Sequence, residues 1–126
     1  MSAALPAALR AGAAGYYPAE AGTELLIRHD CFLRRCDFAG FVHVGISITD
    51  GITELAQIDW DAAISALHAG QLPASGGERR ILQLAASIAA GTPVSLLDTI
   101  PGLDNRNRQL LITAIQHAAG QRPPHP

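Results

Sequence analysis

The chain has 126 residues and a mass of 13.2 kDa, the size of one ordinary domain, which leaves no room for a second catalytic lobe. Hydrophobic residues make up 48%, charged residues 16%, and the mean hydropathy is +0.18, the opposite balance to that of a disordered chain. Nine arginines against eleven acids give a net charge of −2, which excludes a uniformly basic nucleic-acid coat, and the absence of lysine excludes a P-loop lysine, a Schiff-base lysine and a lysine general base.

In chain order, Met1 to Gly15 is rich in alanine and glycine and lacks the positive start of a secretory leader. It reads as a flexible segment over residues 1–15 that stays on the protein. Pro18 suits the first turn of a helix carrying Leu25, Leu26 and Ile27 and ending near His29. Asp37 is placed to cap a short helix through Phe38, Phe41 and Val42. The same stretch also alternates: Val42, Val44, Ile46 and Ile48 are interleaved with His43, Gly45, Ser47 and Thr49, and Asp50-Gly51 is a two-residue hairpin signal. Periodicity does not choose between helix and strand here; the favoured reading is a small hairpin, residues 42–49 paired with about 52–58.

The second half reads as helix. Asp59 caps a helix with Trp60, Ala63, Ile64 and Leu67 on one face and Gly70 as its stop. Ser75-Gly76-Gly77-Glu78 has the form of a capping box and opens a helix to Ala90, with Ile81, Leu84, Ala85 and Ile88 inside. A short segment from Ser95 to Ile100 and a Pro101-Gly102 turn lead to a last helix capped by Asp104, with Leu110, Leu111, Ala114, Ile115 and Ala118 buried and Gly120 as terminator. The fold class is therefore mainly α: a bundle of about five or six short helices over residues 16–120, with a hairpin around residues 42–58, and a flexible tail over 121–126. Its predicted core is Trp60, Ile64, Leu67, Ile81, Leu84, Ile88, Leu110, Leu111 and Ile115.

Few residues form a chemical constellation. His29, Cys31, Cys36 and His43 follow the order H-x-C-x4-C-x6-H, which lacks the short knuckle of zinc modules, so no metal or other cofactor is assigned. Tyr16, Tyr17, His29, His68 and His117 are scattered, and no nucleophile-histidine-acid set has a local signature; the expectation is a non-enzymatic protein. No apolar run approaches the ~18 to 20 residues of a membrane span. Free Cys31 and Cys36 and the absence of a leader point to the cytoplasm.

Low charge and abundant alanine favour an interaction surface, rimmed by Arg34, Arg35, Arg79 and Arg80. The expected partner is a second copy, with a dimer favoured, or another protein. The alternative is DNA. Residues 1–74 carry 4 arginines and 8 acids, whereas residues 75–126 carry 5 arginines and 3 acids. The exposed start of the last helix would present Asn105, Arg106, Asn107, Arg108 and Gln109, residue types that read base edges.

Three resemblances accompany these readings. Arg79 to Ala119 resembles the DNA-binding region of winged helix-turn-helix repressors, with Leu97, Gly102, Leu103 and Leu111 at core positions of the motif, although Asp98 and Arg108 fall where that motif packs its helices together. Ser75-Gly76-Gly77-Glu78, followed by Leu96-Leu97-Asp98 and Gly102-Leu103-Asp104, resembles parts of ABC-type ATPases, but no phosphate-cradling loop is present and Thr99 stands at the catalytic glutamate's place. Tyr16-Tyr17-Pro18-Ala19-Glu20, Leu25 to His29, Ile58-Asp59-Trp60 and Gly77 to Leu82 together resemble a family of small uncharacterised proteins of high-GC Gram-positive bacteria, over about residues 16–120. That last likeness implies a bacterial cytoplasmic setting and no activity.

Overall fold

Backbone donors at a helix start need acceptors, and short polar side chains supply them. Asp59 accepts from the Ala62 amide at 3.1 Å, Ser95 from the Asp98 amide at 3.3 Å and Asp104 from the Asn107 amide at 2.8 Å. Ser75 and Glu78 form the reciprocal box, the serine hydroxyl accepting from the Glu78 amide and the Glu78 carboxylate from the Ser75 amide. The computed structural model that shows these caps describes residues 5–121. Six α-helices follow in order among the described residues: α1 (Leu5–Ala13), α2 (Tyr17–His29), α3 (Trp60–His68), α4 (Gly76–Ala90), α5 (Leu96–Thr99) and α6 (Asn105–Ala118). A two-stranded antiparallel sheet, β1 (Val42–Ile46) and β2 (Glu54–Ile58), stands between α2 and α3. The fold is mainly α with one small hairpin.

Helix α2 lies at the centre, packed on α4 along one side and α6 along another. The approach to α4 is close enough that a Cβ on Gly22 would lie 2.5 Å from both the Ala85 carbonyl oxygen and the Ala89 Cβ. Helix α6 runs antiparallel to α2. Near one end the Arg106 guanidinium donates to the Arg28 carbonyl at 2.8 Å; near the other His117 meets Glu20 at 2.9 Å, both side chains nearly buried. Trp60, Ile64, Leu67, Ile81, Leu84 and Leu111 are buried as predicted, joined by Leu25, Leu26, Leu72 and Leu82. Ile115 is a correction: it turns outward and is 53% exposed, because α6 buries Leu111 and Ala114 instead, while Ile88 and Leu110 are half-buried.

The stretch around Asp37 is turn and then strand, but Asp37 is not a cap: the turn starts one residue earlier with no side-chain cap, and Val42 belongs to the strand. Cys36–Phe41 is a 3-10 turn, and the strand begins at Val42. Phe32 and Phe38 are fully buried with ring centroids 5.4 Å apart, and Phe41 meets Phe38 edge-on at 5.6 Å. Two phenyl groups removed from water contribute about 1.5–3 kcal/mol each. The hairpin itself is shorter than predicted. Its register pairs Val42 with Ile58 and Ile46 with Glu54, and a wide loop replaces the two-residue turn. Asp50 explains the difference: its carboxylate accepts from the Ile52 and Thr53 amides, both at 2.8 Å, and from the Thr53 hydroxyl.

The amino-terminal segment is the second correction. Residues 5–13 are helix α1, which buries Leu5, Ala8 and Leu9 and packs on β2 and α2. Gly12 permits the approach to the strand, since a Cβ there would overlap the Ala56 carbonyl oxygen. Arg10 ties α1 to α2 through a two-pronged pair with Glu24 at 2.9 and 3.0 Å. The predicted tail, except Gln121, lies outside the described residues, as does the start over residues 1–4.

Candidate interaction surfaces

The hairpin has a covered side and an open side. At its base Val42 and Phe41 pack on the core, and on β2 Ala56 and Ile58 are buried. Further out, Val44 is 60% exposed, Ile46 56%, Ile52 83% and Ile48 fully exposed. Residues two apart on a strand share a face, so Val44 and Ile46 point the same way, on the face that also carries their paired residues Ala56 and Glu54. The alternation that marks the strand in sequence is thus real, but the outer part of its apolar stripe meets solvent. A second apolar group is exposed on α5 and α6: Leu96, Leu97, Ile112 and Ile115, with Ile100 in the turn between the two helices.

The four arginines expected to rim an interface are largely engaged. Arg34 pairs with Asp30 at 2.7 Å, one helical turn away. Arg35 grips Asp37 with two bonds, at 2.9 and 2.6 Å, and its guanidinium lies over the Phe32 ring at 5.3 Å. Arg80 donates to the Gly102 carbonyl at 3.3 Å and fills the space that a side chain at position 102 would need. Arg79 is half-buried on α4 and forms no ion pair among the described residues. None of the four is bonded to a hairpin residue among the described residues. Arg80 links α4 to the turn before α6, while Arg34 and Arg35 pair with acids close to them in the chain.

Of residues 105–109, Asn105, Arg106, Arg108 and Gln109 are exposed and one is not. Asn107 is buried, contrary to its expected place, and its amide is used by the Asp104 cap. Arg106 is bonded to α2, and Arg108 donates to the Asn105 side chain, which leaves Gln109 exposed without a described side-chain bond. The helix-turn-helix core is not assembled either. Helix α5 is one turn long, Leu97 is 82% exposed, and Asp98 and Arg108 both face solvent and do not pair with each other. Leu103 and Leu111 are buried, but in the junction with α2 and α4.

The histidines and cysteines are dispersed among separate partners. Cys31 donates to the Glu78 carboxylate at 2.6 Å, closing a link from the end of α2 to the capping box. Burial, with the Glu78 hydrogen bond and charge adding to it, pushes the Cys31 thiol up to about 11, so it stays protonated and unreactive. Cys36 is exposed, and His43 meets Asp59 at 3.4 Å. Burial and the nearby Arg106 charge lower the pKa of His29, whose Nδ1 is enclosed without a hydrogen-bond partner. Among the described residues no three such side chains converge on one point. Ser75-Gly76-Gly77-Glu78 is occupied as a helix cap and as the acceptor for Cys31, and Thr99 is buried with its hydroxyl donating to the Ser95 carbonyl. These residues perform structural work where the ATPase likeness would place phosphate chemistry.

No helix among the described residues is long and apolar enough to cross a membrane. The chain matches no protein-family model, no curated protein and no solved structure in the comparisons made.

Proposed function

We propose that this chain is a non-enzymatic interaction protein that self-associates, with a dimer as the favoured product. The observation that carries this reading is the outer hairpin, where Val44, Ile46, Ile48 and Ile52 stand exposed together. Four exposed aliphatic side chains within nine residues of chain are more than the scattered apolar residues of an ordinary surface and support a place of association. Of the two arginines assigned to base reading, Arg106 is bonded to α2 and Arg108 to the neighbouring Asn105, which favours a protein partner over DNA. A cytoplasmic setting belongs to the same reading, since Cys31 and Cys36 are free thiols.

Sedimentation of the full chain across a concentration series tests the proposal. A mass that rises from one to two copies supports it, and Ile48→Glu shifts the equilibrium back toward one copy. A single copy at every concentration overturns it.

A further inference from the structure

Resting on that reading, we infer that two copies join edge to edge through β1, antiparallel about a two-fold axis, to make one four-stranded sheet. The ladder between β1 and β2 uses the odd positions of β1. Ser47 donates to the Thr53 carbonyl at 2.8 Å, and Asp59 donates to the Phe41 carbonyl at 2.7 Å, in the register that pairs Val42 with Ile58. Antiparallel strands alternate which residues bond to the neighbour, so the N–H and C=O groups of Val44 and Ile46 point to the opposite edge, while the Val42 N–H is taken by the Ala39 carbonyl of the preceding turn. Among the described residues no strand pairs with the Val44 and Ile46 groups on that edge, which makes it a template for another strand.

Three features select a second copy as the occupant. First, residues 42–49 carry no acid, arginine or proline, so an antiparallel copy brings no like charges together and meets no blocked donor. Centred on Gly45, the pairing sets Val44 of one copy against Ile46 of the other and returns the same bonds from both sides. Second, the area fits. The exposed surface of Val44, Ile46, Ile48 and Ile52 is on the order of 500 Å² per copy, so two copies supply at most on the order of 1,000 Å², the lower bound for a specific interface. The dimer is accordingly weak and dependent on concentration. Third, the assembly closes. Helix α1 lies against the outer edge of β2, with Gly12 on the Ala56 backbone and the Gln57 side chain bonded to the Gly12 carbonyl. Pairing through β1 consumes the open edges and stops at two copies instead of propagating as a fibre.

Amide exchange of the full chain, read residue by residue by NMR at low and high concentration, tests this directly. The Val44 and Ile46 amides should slow at least tenfold at high concentration, while those of Gly45 and Ser47, already inside the hairpin, change little. Val44→Pro removes one outward N–H and leaves the bonds to β2 in place, and it should weaken the dimer at least tenfold. Ile46→Lys provides the same test without a backbone change, and Ile112→Glu on α6 should leave the dimer intact. A dimer whose Val44 and Ile46 amides stay unprotected, or that Ile112→Glu breaks, overturns the edge pairing while self-association stands. A strict monomer overturns both.

Discussion

The two edges of the small sheet are treated in opposite ways. Along β2 a helix lies so close that only a glycine fits at the contact, whereas along β1 Val44 and Ile46 meet solvent. Natural sheets blunt an edge with charge, proline, a bulge or a covering helix. Here one edge has its cover and the other has none of these devices. A sheet of two strands is marginal by itself, so its persistence rests on the covered side: α1, the Phe38–Phe41 pair beneath the base, and the buried Ala56 and Ile58. The open side adds little to the stability of one copy.

The contrast breaks most severely at the base. Phe38 is fully enclosed between Phe32 and Phe41, and Phe38→Ala should cost about 4 kcal/mol in a denaturant melt, with loss of the hairpin's ordered amides. Removing the cover comes next. Gly12→Val forces α1 away from the Ala56 backbone at a cost of about 2–3 kcal/mol, and by freeing the second edge it should turn small assemblies into large ones in light scattering. The smallest effect sharpens the comparison through pH. Burial raises the Glu24 carboxyl, but the bonds and charges of Arg10 and Arg28 outweigh it and hold the group below its ordinary 4.5. A carboxyl depressed in the folded state stabilises the fold above its unfolded value, and that contribution fades as pH falls through the lowered one. Wild type should therefore lose part of its stability between pH 6 and pH 3 as the clamp on α1 is released, by no more than the ~1 kcal/mol of a partly exposed ion pair, and Glu24→Gln should lack that part in urea titrations at the two pH values.

Local chemistry was the legible part. The helix starts at Asp59, Ser75, Ser95 and Asp104 could be read directly because a cap involves residues within three positions of each other. Helix α1 escaped notice for the reason that makes it useful: alanine and glycine give little periodic signal, yet they allow the near approach of α1 to a strand. The hairpin was visible, but its register was not, because the Asp50 side chain organises a wider loop than Asp50-Gly51 alone suggests. Whether an alternating stripe is buried or exposed depends on which element comes to rest on it, and that is a tertiary property. Asn107 shows the reverse error. Its polarity suggested the surface, whereas the Asp104 cap and the crowded start of α4 draw it inside.

The crossing at Gly22 has a consequence for how this sequence can drift. With the Ala85 oxygen and the Ala89 methyl at 2.5 Å from any added carbon, the site admits a hydrogen atom and little else. Most of α2 can trade one aliphatic for another with local repacking, but position 22 can change only if α4 retreats along its length. Among distant descendants of this chain, that glycine and the small residues facing it should turn over together or not at all.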